Sequence, residues 1–232
     1  LEEINGNTES ALKYLTDLNK KPLDKDLKLR VNLSLGNIYF KLEKYDSATI
    51  FYRFVVETSD EPKILKSAMS NLLACYEELG YYELALGIAR KYIEKFPNAE
   101  DLIDKKIKIG LMYEMLGNYD LALSYFQSLL EEADKDLEAE LHYYIGEVFY
   151  YKGEYEQAIL EFLKVPFLVT KKTKIDWTAN AFYMAGQSYE KMKKYDQAIN
   201  MYQQIIDRPG IDPIFKSGAQ KEIERVKSLL KQ

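Results

Sequence analysis

One short pattern recurs five times along the 232 residues, and it limits the fold more than any other feature. Each copy has a tyrosine, an acid, any residue and then an alanine, and these alanines are Ala48, Ala85, Ala122, Ala158 and Ala198. They are 37, 37, 36 and 40 residues apart. Twelve residues before each alanine is a slot held by Gly36, Leu73, Gly110, Gly146 and Gly186. Because only the distance between copies varies, the differences fall in connecting loops, and we expect an internally repeated protein.

The spacing inside each copy predicts two helices. Apolar residues recur at intervals of three and four, which is the helical period, without sustained alternation. The segments Ser59–Pro62 and Pro97–Glu100 carry residues typical of helix starts, and Gly80, Gly117 and Gly153 fall where a first helix should end. Each copy therefore contains two helices of about 14 residues, or about 20 Å. Small residues at the glycine and alanine positions let the two helices approach closely, and aromatic residues fill the surrounding space.

Five copies in register resemble the tetratricopeptide repeat, and the resemblance covers nearly the whole chain. It implies an all-α, right-handed α-solenoid of about five helix-turn-helix repeats, with an N-terminal half-repeat and a C-terminal capping helix. The period is longer than the family's usual value of about 34. The tryptophan often found early in the first helix is also replaced, and Trp177 lies just before the last copy. Similar longer-period repeats occur in bacterial cell-envelope proteins.

The repeat frame predicts a single solenoid domain over residues 1–232. Its parts are a half-repeat at 1–22, repeats at about 23–60, 61–97, 98–134, 135–170 and 171–210, and a capping helix at 212–232. The cap has apolar residues at Ile223, Val226, Leu229 and Leu230. The joint between the fourth and fifth repeats holds Pro166, which should end a helix early, and then Phe167, Leu168 and Val169. These three residues either form a small core under the joint or provide an exposed apolar contact site.

Composition and sparse reactive residues exclude several functions. The chain has 32 Lys and Arg against 37 Asp and Glu, a net charge of −5, which argues against a nucleic-acid partner. A single histidine, His142, excludes a multi-histidine metal site and a histidine-based triad, and Cys75 alone cannot form an internal disulfide. We expect both to be packing residues. We therefore expect no catalytic residue, cofactor or metal, and hence no enzyme.

No segment reaches the roughly 18 apolar residues that a membrane-spanning helix needs. Because the chain opens on Leu1 and shows no signal-peptide pattern, we expect a cut-out or processed piece, in which any targeting segment would be missing from view. The sequence fits a cytoplasmic or a periplasmic location, and the repeat length tilts the expectation towards the cell envelope.

In tetratricopeptide stacks the first helices line the concave face, and this resemblance predicts the partner-binding residues. The candidates mix aromatic and apolar side chains with a recurring acid: Asn37, Phe40, Glu77, Leu111, Glu114, Tyr143, Glu147, Tyr150, Tyr183, Gln187 and Glu190. The acids favour a basic or amide-rich partner. The alternative is that tyrosine simply suits this fold and the glutamates only keep the face soluble.

The predicted function is a protein-interaction scaffold that binds a peptide or protein segment in the concave groove, in a setting such as a bacterial cell-envelope assembly. Two alternatives stay open. One is a self-assembling structural protein that forms a homo-oligomer through its N-terminal half-repeat. The other is a regulator that senses a peptide.

The packing interpretation predicts the effect of enlarging an alanine of the repeat. Ala122→Leu should lower the free energy of unfolding by about 1–3 kcal/mol, because added methylene groups overpack the helix crossing. Thermal or urea denaturation measures this change, and an unchanged melting temperature would contradict the interpretation.

Overall fold

The computed structural model describes residues 2–171 and 175–230, which form helices joined by short turns and loops. Leu1 and Gln232, the outer limits of the predicted half-repeat and cap, lie outside the described residues. Residues 172–174, in the joint between the fourth and fifth repeats, also lie outside them. No strand occurs within the described ranges. The protein is all-α and is built of consecutive antiparallel helix pairs, as an α-solenoid is. The contacts divide it into two compact units, Leu1–Leu116 and Gly117–Gln232.

Each helix of the first unit packs against the next one along the chain. The six helices are α1 (Glu2–Asn19), α2 (Lys25–Lys41), α3 (Tyr45–Thr58), α4 (Pro62–Glu78), α5 (Tyr82–Lys95) and α6 (Leu102–Met115). The first helices of neighbouring pairs, α2 and α4, also contact each other. This contact places successive first helices side by side, as a repeat stack requires.

The second unit follows the same plan with one irregular joint. Its helices are α7 (Tyr119–Leu130), α8 (Lys135–Lys152), α9 (Tyr155–Phe162), α10 (Val165–Leu168), α11 (Trp177–Lys191), α12 (Tyr195–Asp207) and α13 (Pro213–Leu229). The first helices α8 and α11 contact each other, and α13 packs on α12. Trp177, which the sequence placed just before the last copy, is the first residue of α11 and is buried.

In three copies, a glycine of the first helix makes room for an aromatic ring of the second helix. A Cβ atom built on Gly36 would lie 2.6 Å from the Tyr52 ring, and Gly146 and Gly186 stand equally close to Phe162 and Tyr202. The sequence predicted that small residues let the two helices approach closely and that aromatic residues fill the space around the crossing. The structure places a ring directly against each of these three glycines.

The second copy reverses the sizes at the same two positions. It has Leu73 where the others have glycine, and Ala89 where they have an aromatic residue. Both are fully buried, with 1% and 0% exposure. Because the total volume is conserved, the pair can pack without a void or a clash.

The turn between the two helices of each copy uses a left-handed residue at one fixed position. Gly80, Gly117 and Gly153 have φ of 71°, 72° and 81° there, which confirms the predicted helix ends. Glu43 and Lys193 hold the same position with φ of 57° and 58°. The position thus keeps its backbone conformation even where the residue carries a Cβ and the conformation costs energy.

One helix start differs from the prediction. Pro62 opens α4 as expected, but α6 begins at Leu102, after the predicted Pro97–Glu100 segment. Asp101 precedes it without capping it, because its carboxylate accepts a hydrogen bond from Tyr92 at 2.7 Å and pairs with Lys66 and Lys105. Burial acts to raise the pKa of Asp101, but these partners outweigh it and hold the pKa well below the usual range.

The paired sizes predict a compensating double substitution. Gly146→Leu alone should cost about 3 kcal/mol or more, because the new side chain meets the Phe162 ring. Phe162→Ala alone should cost about 3–5 kcal/mol by leaving a cavity. The double variant reproduces the Leu73 and Ala89 arrangement and should recover at least half of the summed loss. Urea denaturation of all four proteins gives the coupling, and strictly additive losses would contradict the size exchange.

Candidate functional site

The predicted partner-binding residues, which we name the ridge, lie on first helices in each unit. In the first unit, Asn37 and Glu77 are held by other residues of the chain. The Asn37 side-chain oxygen accepts hydrogen bonds from the Tyr52 hydroxyl at 2.8 Å and from the Asn71 amide at 3.0 Å. Asn37 is exposed, and its oxygen is therefore held in one orientation by a core residue and by the next repeat. Phe40 packs edge-on against Tyr45, with the ring centroids 5.3 Å apart.

Glu77 on α4 is paired inside the chain. Lys108 on α6 donates to both of its carboxylate oxygens at 2.7 Å. A ligand cation would have to compete with Lys108, which the sequence did not place at the site. Leu111 and Glu114 lie further along α6, and both are partly buried.

In the second unit, Tyr143 and Glu147 form a largely buried pair on α8. The Tyr143 ring lies 5.7 Å from Phe162 and 5.2 Å from Trp177, between centroids, and its hydroxyl donates to Glu147 at 3.1 Å. Burial raises the pKa of Glu147 to about 7, and the hydrogen bond from Tyr143 only partly offsets it. Glu147 is thus a carboxyl that gains its charge near neutral pH.

Tyr150, Gln187 and Glu190 are brought together in one cleft. Its volume is about 340 Å³, and its other lining residues are Lys191, Tyr195, Arg225 and Leu229. Tyr150 comes from α8, Gln187 and Glu190 from α11, and Arg225 from α13. Two successive first helices and the last helix therefore share this cleft, which we name the α8–α11–α13 cleft.

The Glu190 carboxylate is the most strongly held group of the cleft. It accepts a hydrogen bond from the Tyr202 hydroxyl at 2.6 Å, and Arg225 Nη2 contacts both of its oxygens at 2.7 Å. Arg225 Nε also donates to Glu222 at 2.7 Å. The hydroxyl of Tyr183, another ridge residue, donates to Glu222 at 3.4 Å.

Sequence reasoning missed Lys108, Glu222 and Arg225 as members of the site. The last two lie on α13, which the apolar pattern marked only as a polar-faced cap. Ile223 and Val226 are buried as that pattern requires, but Leu229 and Leu230 are 37% and 49% exposed. The spacing of Glu222, Arg225 and Leu229 on one helical face was the available signal that a second face of α13 turns towards the ridge.

Sequence profiles described as tetratricopeptide repeat match residues 29–59, 109–166 and 180–209. These segments cover most of the helix pairs α2–α3 and α11–α12, and all of α7, α8 and α9. The chain is a tetratricopeptide repeat protein. The pair α4–α5, which carries the reversed Leu73 and Ala89, lies outside the matched segments. A search of curated protein sequences finds no match.

Solved tetratricopeptide repeat structures resemble this one in fold. YrrB, described as a TPR protein with an unusual peptide-binding site, is 22% identical with a TM-score of 0.52, over 82% of this chain and 91% of YrrB. The apo quorum sensor NprR of B. thuringiensis is 21% identical with a TM-score of 0.66, over 95% of this chain and 63% of NprR.

A chain of the APC/C hetero-tetramer Cut9–Hcn1 is also similar, at 21% identity and a TM-score of 0.60. The match covers 98% of this tetratricopeptide repeat protein but only 41% of that chain. At these identities the likeness concerns the fold.

Within the described residues of this tetratricopeptide repeat protein, the reactive side chains are packed and paired. His142 is 9% exposed, and its Nδ1 atom lies 2.6 Å from Glu161. Cys75 is fully buried, and burial raises the pKa of its thiol to about 12, which opposes thiolate formation. No group of residues there could hold a metal ion, and none of the described helices is long and apolar enough to cross a membrane.

The joint between the fourth and fifth repeats shows both predicted arrangements, because some of its apolar residues are packed in a core and one is exposed. Pro166 follows the short helix α9, and Leu168 and Val169 pack against the core that includes Trp177. Phe167, in contrast, is 87% exposed. Asp136 fixes the joint by accepting hydrogen bonds from the backbone and hydroxyl of Thr170 at 2.8 and 2.9 Å.

The buried carboxyl of Glu147 predicts how stability depends on pH. Its folded pKa of about 7 lies above the ordinary 4.5, so the folded protein binds the proton more tightly than the unfolded chain. Its contribution is therefore full below about pH 4.5 and is lost as pH rises through about 7. Glu147→Gln should raise the unfolding free energy by about 1–3 kcal/mol at pH 8 and change little at pH 4.5.

Urea denaturation at both pH values measures this effect. Glu156→Gln on the exposed face of α9 is the matched control and should change stability little at either pH. Equal effects of Glu147→Gln at pH 4.5 and pH 8 would show that the buried carboxyl does not titrate in this range.

Proposed function

We propose that this protein is a non-catalytic scaffold that binds a peptide or protein segment along the inner faces of its first helices. The α8–α11–α13 cleft carries this proposal. Three ridge residues from two different first helices, Tyr150, Gln187 and Glu190, line it together. A segment lying across successive first helices would therefore meet side chains from each of them.

The chemistry of the cleft suits a polypeptide ligand. Tyr150 and Tyr195 offer large aromatic surfaces with few rotatable bonds, so they lose little entropy when they make contacts. Gln187 carries both a donor and an acceptor, which match the amide groups of a backbone. The volume of about 340 Å³ is at the lower end of ligand clefts and suits one or two side chains rather than a large cofactor.

One of the comparisons favours the same class of ligand, since YrrB is described as having a peptide-binding site. NprR is described as a quorum sensor, and the similarity to it over 95% of this chain favours a sensing role. A regulator that senses a peptide is therefore our second candidate function. A place in a bacterial cell-envelope assembly, and self-association through the N-terminal half-repeat, stay predictions from the sequence.

A display library of random peptides selected on the full chain tests the proposal. We expect binding peptides, and we expect Gln187→Lys to weaken them at least about tenfold, because it removes the amide and adds a charge in the cleft. Gln157→Lys makes the same change at an exposed position of α9 and should leave binding unchanged. Equal affinity of both variants and the unaltered protein would remove the cleft from the function.

A further inference from the structure

We propose that the α8–α11–α13 cleft selects an arginine side chain of its ligand, and that Arg225 is an internal occupant which this side chain displaces. The inference rests on the proposed function and names the residue that the ligand must supply. It follows from the way in which two carboxylates, Glu190 and Glu222, are held around one guanidinium group.

The two carboxylates are held in place by groups other than Arg225. The Tyr202 hydroxyl donates to Glu190 at 2.6 Å from within the core, and Tyr202 itself is 0% exposed. The Tyr183 hydroxyl donates to Glu222 at 3.4 Å. The Glu190 and Glu222 side chains are only 14% and 24% exposed. Their positions should therefore persist when the guanidinium leaves.

The present occupant shows which chemical group fits. Arg225 Nη2 contacts both oxygens of Glu190, and Nε contacts Glu222, so two sides of one planar guanidinium are used. These hydrogen bonds raise the pKa of Arg225 further above its usual range. An ammonium group is a point charge and cannot span two carboxylates with the same geometry, which favours arginine over lysine.

Exchange is feasible because Arg225 lies at the open side of the cleft. Its side chain is 50% exposed, whereas α13 is anchored by Ala219, Ile223 and Val226, which are buried against α12 and its neighbours. The helix can therefore remain in place when Arg225 swings out. A ligand guanidinium would regain the same hydrogen bonds, and Tyr150 and Tyr195 line the cleft where its flat face could stack.

Charge favours a cation over an anion at this position. Arg225 is the cation that contacts both Glu190 and Glu222, and removing it leaves the two carboxylates without this shared partner. An anionic ligand group would approach these carboxylates at close range, where like charges repel. Lys191 also lines the cleft and brings a second positive charge to it. The contacts described above for the two carboxylates come from Arg225, Tyr202 and Tyr183.

The test uses the full chain, its Arg225→Ala variant and two small probes. N-acetyl-arginine amide carries the guanidinium, and N-acetyl-citrulline amide is a neutral group of nearly the same shape. We expect Arg225→Ala to bind the arginine probe at least about tenfold more tightly than the citrulline probe, and more tightly than the unaltered protein does. Adding Glu190→Gln should abolish the preference. Equal binding of both probes to Arg225→Ala would overturn the inference.

A measurement on the unaltered protein avoids dependence on the folding of the variant. The NMR signal of the Arg225 side-chain Nε–H should shift towards that of a solvent-exposed arginine when a selected peptide containing arginine is added. The same peptide with citrulline in place of arginine should bind at least about tenfold more weakly. If it binds equally well, or if the Arg225 signal does not move, the inference fails while the proposed function stands. If no peptide binds at all, the proposed function fails.

Discussion

The fold depends on a size match between one residue of a first helix and one residue of the second helix that follows it. Gly36, Gly146 and Gly186 leave no room for a Cβ because Tyr52, Phe162 and Tyr202 lie against them. A two-helix module has too little interior to bury its own apolar surface, so this contact and the contacts with neighbouring modules must supply the core. The second copy, with Leu73 and Ala89, shows that the sum of the two volumes is conserved rather than either residue.

The same rings link the core to the ridge. The hydroxyl of Tyr52 reaches Asn37, and the hydroxyl of Tyr202 reaches Glu190, so a buried ring holds a ridge side chain in each case. Phe162 has no hydroxyl to offer, and the ridge carboxyl of its copy, Glu147, accepts a hydrogen bond from Tyr143 of its own helix instead, while burial raises its pKa. A tyrosine at this core position can thus orient a ridge side chain, and a phenylalanine cannot.

The ridge presents less net negative charge to a ligand than its sequence suggests. Glu77 is neutralised by Lys108 and Glu190 by Arg225, which lie 31 and 35 residues further along the chain. Helical periodicity identifies which residues of one helix share a face, but it carries no information on the long side chains that a neighbouring helix brings to that face. A cleft assembled from α8, α11 and α13 could not be found from the pattern of any one of them.

The sequence by itself determined the repeat, the helix pairs, the turns at Gly80, Gly117 and Gly153 and the burial of the repeated alanines, because these depend on local periodicity and on residue size. Tertiary structure alone decided that Phe167 is exposed while Leu168 is packed, that Lys108 reaches Glu77, and that Arg225 lies between Glu190 and Glu222. Each of these depends on distances between residues that are remote in the chain. Such distances follow from how the helices stack, and a sequence pattern read along one helix does not contain them.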